Sequence, residues 1–346
     1  MGRPLRLSIA FDGSQALDTC QAVVRAAETA GLDGVWSAEH LGLHDAVTAS
    51  AAFLVTTSRI EVGLVGLNAS SRHPGLLAME LASLAELGKG RVRAQLGTGD
   101  AILGARIGAR SRRPLGEVEA FVAAIRGLHR GEEISVDEPE FRLDRFRLRR
   151  FRPAPRIPLD VMAIRPAMLE LACRIGDGVA LSAGASRAYL AESMGAIERH
   201  LATHERVRSR FRISAMVLAA VGDDLSEARR RVAKVLAFAP PGAIPALTAG
   251  LDGLPDPEVV RATLGRDGPA AAAAMYPDEV VDALSIVATP AGLPAAIERF
   301  AALGIDELAL TLTGDLEDML TATSALGHAR AGAMAGAMGA EAGGRL

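Results

Sequence analysis

Gly34-Val35-Trp36-Ser37-Ala38-Glu39-His40 is the stretch of sequence that decides the fold prediction. Its short apolar run, residues 35–37, follows a helix-like segment and is typical of a buried strand. The run ends in a carboxylate beside an imidazole. In parallel α/β folds, ligands bind at the carboxyl ends of the strands. We therefore predict a strand at residues 35–37 and a functional site at its end.

The same alternation of strand and helix repeats on both sides of this stretch. A helical pattern from Leu17 stops at Gly31, which is a typical C-terminal cap. The predicted strands are residues 5–11, 35–37, 60–65, 92–96, 159–163, 179–181, 213–221 and 308–312. Eight strands interleaved with helices favour a closed (β/α)8 TIM barrel. The alternative, a doubly wound open sheet, is disfavoured because no Gly-x-Gly-x-x-Gly motif follows the first strand.

Two segments interrupt the alternation. Residues 132–152 alternate like strands and are rich in arginine, which predicts an inserted hairpin. Residues 240–285 are rich in proline and then in alanine, and we interpret them as a helical insertion over the barrel mouth before strand eight. Residues 1–330 are then one barrel domain, and residues 331–346 a flexible tail.

Composition indicates a small-molecule enzyme. The 346 residues are 49% hydrophobic and carry a net charge of −3, which favours neither nucleic acid nor an anionic membrane as a partner. Aromatic residues make up only 3%, too few for a stacking platform. Cys20 and Cys173 are too far apart in sequence for a metal motif and are interpreted as reduced core thiols. With no export or membrane-spanning segment recognised at the N-terminus, we expect a cytoplasmic protein.

Polar residues and glycines follow most of the predicted strands, and in a barrel they converge on one rim. They are Asp12, Glu39, His40, Asn68, Thr98, Gly99, Asp100, Arg165, Ser182, Ala183 and Gly184. The imidazole of His40 can donate or accept a proton near neutral pH. Glu39 is expected either to orient it or to point into the barrel. Backbone N–H groups of the glycine-rich loops can approach an anion or a flat ring.

Four motifs in a fixed order carry a resemblance to a known family. They are Ala30-Gly31-Leu32-Asp33-Gly34-Val35-Trp36 with Glu39-His40, Arg72-His73-Pro74, Gly90-Arg91-Val92 with Leu96-Gly97-Thr98-Gly99-Asp100, and Gly176-Asp177-Gly178-Val179. This order resembles the luciferase-like monooxygenase superfamily. Within it, the sequence is most similar to the reductases that use the deazaflavin coenzyme F420, typified by methylenetetrahydromethanopterin reductase.

The resemblance implies an oxidoreductase that transfers a hydride between F420 and a small organic substrate, without a metal. It implies a strained, often cis, bulge at Val65-Gly66-Leu67 against one face of the ring, and a homodimer. His40 and Glu39 are then the expected catalytic residues, and Arg165 and Trp36 the expected substrate contacts. The expected coenzyme contacts are Asp12, Gly66, Asn68, Thr98, Gly99, Asp100 and, for the phosphate of the tail, Ser182, Ala183 and Gly184.

Other interpretations stay open. An FMN-dependent monooxygenase uses the same barrel, and a barrel without catalysis can serve as a binding protein. His40 and His44 have the spacing of a zinc pair, although no third ligand is near in sequence. The stripe of arginines at residues 142–152 can bind an anion or form a solvated strand edge. Arg165, where the family usually has a glycine, either recruits an anionic group or narrows the pocket.

Overall fold

A computed structural model describes residues 4–99, 101–109, 111–151 and 153–343, without the side chains of residues 101, 102 and 333–343. Within these residues, eight parallel strands close into a barrel surrounded by helices. The first barrel strand pairs with both the second and the last, so the sheet has no free edge in the barrel. The predicted TIM barrel is confirmed, and the open doubly wound sheet is excluded.

The barrel strands follow one another in the order β1-β2-β3-β4-β7-β8-β9-β11. Their bounds are β1 Arg6–Phe11, β2 Gly34–Ala38, β3 Glu61–Asn68, β4 Val92–Gly97, β7 Leu159–Ala163, β8 Gly178–Leu181, β9 Arg212–Val221 and β11 Glu307–Leu312. Each overlaps one of the eight predicted strands. Sequence analysis missed β10, Ser285–Ala288, which pairs with the carboxyl-terminal half of β9.

Helices surround the barrel. Their bounds are α1 Leu17–Thr29, α2 Ala46–Thr56, α3 Pro74–Gly88, α4 Ala101–Arg106, α5 Pro114–His129, α6 Pro166–Ile175, α7 Arg187–Thr203, α8 Leu225–Phe238, α9 Pro257–Asp267, α10 Pro269–Ala273, α11 Asp278–Leu284, α12 Leu293–Ala301 and α13 Leu316–Gly343. A flexible tail was expected at residues 331–346. The structure is helical there as far as Gly343, because the many alanines favour helix. Residues 344–346 lie outside the described part.

The arginine-rich segment forms the expected hairpin, β5 Ile134–Asp137 and β6 Arg142–Phe146. Its apolar side covers α3 and α5, where the ring of Phe141 meets that of Phe121 edge to face at 6.0 Å. The arginines of the stripe that the structure describes are all exposed. Arg145 pairs with Glu133 in this solvated layer. Arg152 lies outside the described residues.

The helical insertion has two parts. Residues 240–250 lie against the loop after β8, where Ser186 N donates to Leu247 O over 2.7 Å. Helices α9 to α11 pack with α8 in a separate apolar cluster that includes Leu218 and Ala220 of β9. Because side chains alternate along a strand, these two lie on the same face of β9, and earlier in the strand that face points into the barrel. The helices of this cluster therefore stand beside the barrel mouth.

Charged side chains fill the amino-terminal end of the barrel. They are Arg6, Glu61, Arg93, Asp160, Arg212 and Glu307. Arg93 donates to both carboxylate oxygens of Asp160, over 2.6 and 2.5 Å, and Asp160 is fully buried. Above this layer, Trp36 Nε1 donates to Glu307 Oε1 over 3.0 Å. The charges balance, with three guanidinium groups facing three carboxylates, which is what burial of ions requires.

Acidification is expected to weaken the fold through His129. This side chain is 8% exposed, and its Nε2–H donates to Ala78 O over 3.0 Å. Burial lowers the pKa of His129, and the bond to Ala78 opposes this in part. Because the pKa is lower in the folded state, the neutral ring stabilises the fold above the ordinary pKa of about 6.5, and this stability is lost as pH falls below it.

We expect the free energy of unfolding, measured by urea titration, to fall as the pH is lowered below about 6.5, by up to about 1.4 kcal/mol per pH unit. H129Q should remove this part of the slope, whereas H328Q, at an exposed histidine of α13, should keep it. Equal slopes in wild type and H129Q would exclude this role for His129.

Candidate functional site

His40 stands on the rim, two residues beyond the end of β2, with an exposed side chain. Its Nδ1 lies 2.8 Å from the backbone oxygen of Asp12, which follows β1. Because a carbonyl oxygen only accepts, Nδ1 carries the hydrogen and Nε2 of the neutral ring is free to accept a proton. The carboxylate of Asp12 binds its own turn, accepting from Ser14 N over 2.9 Å and from Ser14 Oγ over 2.6 Å. The structure therefore brings Asp12 and His40 together through the backbone of Asp12.

Glu39 has a different partner from the one that sequence analysis expected. Arg72 Nε donates to Glu39 Oε1 over 2.9 Å, and Nη2 makes a second bond to Oε2. The pKa of Arg72 is raised, first by the hydrogen bond to Glu39, against burial, which lowers it. Glu39 therefore does not hold the His40 ring by a direct hydrogen bond, because Arg72 binds its carboxylate and Asp12 O accepts from His40 Nδ1.

The distortion expected at residues 65–67 is present as a β-bulge in β3. The pairing of β3 with β4 shifts register between Leu64 and Leu67, and Gly66 has φ of +79°. Glu39 N donates to Val65 O over 2.8 Å, and a Cβ on Gly66 would lie 3.1 Å from Glu39 O. The bulge therefore lies directly against the residue before His40. A cis peptide at this position stays a prediction.

Asn68 and Gly99 are in close contact at the ends of β3 and β4. Asn68 is 3% exposed, and its Oδ1 accepts from Ser70 N over 3.0 Å and from Ser70 Oγ over 2.9 Å. Gly99 has φ of +66°, and a Cβ there would lie 2.1 Å from Asn68 Nδ2. Thr98 beside them is half-buried. Asp100, the remaining residue predicted in this loop, lies outside the described residues.

The loop Ser182-Ala183-Gly184 follows β8 and is supported from outside. Gly184 has φ of +74°, and a Cβ there would lie 3.2 Å from Pro241 Cβ. Ser186 accepts from Tyr189 N over 3.1 Å and so caps α7. Ser182 and Ala183 are half-buried at the rim. Residues 182–184 thus form a glycine turn between the barrel and the start of the helical insertion, and phosphate binding there stays a prediction.

Apolar side chains, four of them alanines, line the barrel just below the rim. Ala10, Trp36, Val65, Met216 and Ala309 form one cluster, with Ala38, Met162 and Ala183 packed against it. Gly63 leaves the space that the indole fills, since a Cβ there would lie 2.1 Å from Trp36 Cε3. Trp36 is only 1% exposed. Its predicted contact with substrate is not supported, because the indole supports this layer from below.

Arg165 is on the rim at the end of β7, as expected. It occupies the N-cap position of α6 without a side-chain cap, and its side chain is exposed. No ion pair of Arg165 occurs among the described residues. The guanidinium is therefore available to an anion that approaches the barrel mouth.

Two cavities of about 600 and 610 Å³ lie elsewhere, at the amino-terminal ends of the strands. The first has Arg126, Arg156 and Asp177 in its wall, where Asp177 Oδ2 accepts from Arg126 Nη2 over 3.0 Å. Burial raises the pKa of Asp177, but the hydrogen bonds from Leu159 N and Arg126 and the charges of Arg126 and Arg156 together outweigh it, so the pKa is lowered. Both guanidinium groups are therefore already paired.

Among the described residues, no group of three histidine, cysteine, aspartate or glutamate side chains has the arrangement of a metal site. Of the helices in that part of the chain, none combines the length and the apolar character needed to cross a bilayer. Cys20 and Cys173 are buried and unpaired, and burial raises the pKa of Cys20 to about 11 and that of Cys173 to about 12. Both thiols therefore stay protonated at neutral pH.

Sequence reasoning missed Arg72 as a residue of the site. Besides Glu39, it binds Asp45 Oδ2 over 2.6 Å and Glu80 Oε2 over 3.0 Å. Its place in the Arg-His-Pro motif just after β3 was the available signal. Two of its three partners, Glu39 and Asp45, are 33 and 27 residues away in sequence, so only the fold reveals them.

Comparison with known proteins is consistent with this geometry. A sequence model of the family described as luciferase-like monooxygenase matches residues 6–307. The 5,10-methylenetetrahydromethanopterin reductase of Archaeoglobus fulgidus is 27% identical over 291 residues, 82% of this chain and 86% of the relative.

Two solved structures show the same fold. The coenzyme F420 dependent tetrahydromethanopterin reductase of Methanopyrus kandleri superposes with a TM-score of 0.81 at 18% identity, covering 93% of this chain and 97% of that one. A monooxygenase from Streptomyces bottropensis has a TM-score of 0.69 at 19% identity, covering 94% and 98%.

Proposed function

This chain belongs to the luciferase-like monooxygenase family, and on that premise we propose that it transfers a hydride between coenzyme F420 and a small organic substrate. The observation that carries the proposal is the position of His40. An imidazole with a free Nε2 stands on the rim beside the β3 bulge, above a layer of apolar side chains. The similarity to a reductase whose name specifies methylenetetrahydromethanopterin supports a reductase over other members of the family.

The residues at the rim fit a flat deazaflavin ring. Ala10, Ala38, Ala183 and Ala309 give the layer short apolar side chains, and Gly97 adds none, since a Cβ there would lie 3.3 Å from Met162 Cβ. When bound, F420 supplies a carbon that accepts or releases a hydride. We propose that the β3 bulge and the pair of Asn68 and Gly99 hold the ring system, and that residues 182–184 hold the phosphate.

The proton is handled by His40 in this proposal. Neutral His40 takes a proton at Nε2 from a substrate hydroxyl as the hydride leaves the substrate, and the protonated ring returns it in the reverse direction. Asp12 O holds the ring through Nδ1 during both steps. The apolar layer around Met162 and Met216 excludes water from the reacting carbon.

Arg165 is the proposed specificity residue. Its exposed guanidinium reaches the rim without a partner carboxylate among the described residues, so it favours a substrate that carries a carboxylate or a phosphate. The size of the Arg165 side chain also disfavours a large neutral substrate at the end of β7.

The second candidate is an FMN-dependent monooxygenase. It is favoured by the name of the family and by the fold shared with the Streptomyces bottropensis monooxygenase. A barrel that binds neither coenzyme would be a non-catalytic binding protein, the third candidate.

Parallel titration with F420 and FMN tests the proposal. We expect F420 to bind at least tenfold more tightly than FMN, followed by the absorbance of each ring and by the fluorescence of F420. A tenfold preference corresponds to about 1.4 kcal/mol. Preference for FMN would select the monooxygenase, and binding of neither would exclude both enzymes.

A pair of glycine variants assigns that binding to the rim. G99A forces a methyl group against Asn68 at a positive φ and should weaken F420 binding by about tenfold, or about 1.4 kcal/mol. G108A has a similar positive φ of +76° but meets nothing within 4 Å, so it is the control for backbone strain alone. Equal affinities of the two variants would contradict a site at Asn68 and Gly99.

We also propose a homodimer and a cytoplasmic location. Leu76, Met79 and Leu87 are exposed along α3, and Val55 is exposed on α2. Such an apolar patch favours contact with a second copy of the chain. The two unpaired, buried cysteines favour a reducing compartment.

A further inference from the structure

The loop that carries His40 is held at both ends by one guanidinium group. This His40 loop, residues 39–45, connects β2 to α2. Its first residue, Glu39, and its last, Asp45, both bind Arg72, which belongs to the connection between β3 and α3. The Arg72 side chain is 16% exposed and that of Glu39 9%, so this contact is largely withdrawn from water.

The same Glu39 also contacts the β3 bulge. Its N–H donates to Val65 O, and its carbonyl lies where a Cβ on Gly66 would be 3.1 Å away. The middle of the loop rests on the end of β1, through His40 Nδ1 on Asp12 O and His44 N on Gly13 O at 3.2 Å. The imidazole and the bulge are therefore two parts of one assembly, and Glu39 joins them.

In the described part of the chain, Arg72 is the one guanidinium that pairs with the three carboxylates at this point. Glu39, Asp45 and Glu80 all bind it. Burial raises the pKa of Glu80. The charge of Arg72 lowers this pKa, and the charges of Asp45 and Glu39 raise it further. Without Arg72, the two ends of the His40 loop would carry like charges with no cation between them, so they would repel each other.

We propose that Arg72 is a positioning residue: through Glu39 and Asp45 it holds the His40 loop against the β3 bulge, and so keeps His40 Nδ1 on Asp12 O and Nε2 free. A lysine is not equivalent, because its ammonium group has three donors and lacks the planar five-donor fork with which Arg72 binds both oxygens of Glu39 together with Asp45 and Glu80. The role of this positioning in proton transfer rests on the proposed function. The orientation of the His40 imidazole does not.

The tautomer of His40 is the measurement that tests this. In long-range ¹H–¹⁵N spectra of the coenzyme-free protein at a pH where the rings are neutral, we expect His40 as the Nδ1–H tautomer, assigned with H40Q. His129 is an internal reference of the opposite kind, since its Nε2–H donates to Ala78 O. We expect R72K and E39Q to convert His40 to a mixture of tautomers while His129 keeps its own.

Two further variants separate positioning from a general effect on the fold. Glu86 lies on α3, as Glu80 does, and R150K weakens the hydrogen bonds that Arg150 donates to Glu86. This variant should leave the tautomer of His40 unchanged. R72M removes the charge and should give the largest loss of the Nδ1–H signal. If R72M does not fold, R72K and E39Q decide the result.

An unchanged His40 spectrum in folded R72K and E39Q would overturn the proposal. So would an equal change in R150K. F420 and FMN titration of wild type distinguishes this failure from failure of the proposed function, because the tautomer is read without coenzyme or substrate.

Discussion

Replacement of His40 by alanine is expected to slow turnover about a hundredfold, the usual effect of losing a general acid or base. The side chain is exposed, and its one described hydrogen bond is to Asp12 O, so its removal should cost little stability. It belongs to the loop and not to the apolar layer or the pair of Asn68 and Gly99. The affinity for F420 should therefore stay within about twofold, which is less than 0.5 kcal/mol.

His44 provides a matched control within the same loop. It is also exposed, and its contact with Gly13 is made by the backbone N–H, which alanine keeps. Turnover would be followed by the absorbance of F420 with a panel of alcohols, sugar phosphates and hydroxy acids. H40A should be slow and H44A near wild type. An unchanged rate in H40A would remove His40 from the mechanism, and equal losses in both would indicate a disturbed loop instead.

The largest expected loss of stability follows from Arg93→Met. Asp160 is fully buried, and both of its carboxylate oxygens accept from Arg93. Without the guanidinium, a charge would stay inside the barrel with no adequate partner. Breaking a buried pair in this way costs about 3–5 kcal/mol. That is a large share of the total stability of a domain, which is about 5–15 kcal/mol.

The control for this prediction is R145M. The Arg145–Glu133 pair is 80% and 40% exposed and should contribute less than about 1 kcal/mol. Urea denaturation of both variants gives the comparison. The double variant R93M/D160L should recover much of the loss because it removes the unpaired charge. If R93M and R145M had equal midpoints, the buried layer would not stabilise the barrel as described.

Much of the fold was predictable because the barrel strands are short apolar runs that end in polar residues or glycine. The position of His40 followed from the end of β2, and the resemblance to the family implied the bulge at the position of Gly66. The site was less predictable. Trp36 was expected to touch substrate, but the packing of Gly63 against the indole places that ring inside the barrel. The four residues of β10 were missed because they follow an irregular helical segment.

The sequence alone determined which residues lie at the strand ends, since the period of apolar residues and the glycine turns are local properties of the chain. Only the tertiary structure decided which charged groups pair. Glu39 is adjacent to His40 in sequence, yet it binds Arg72, 33 residues away, and Arg93 binds Asp160, 67 residues away. Ion pairing depends on distance and burial in space, and these are set only when the barrel closes and brings separate strands and loops together.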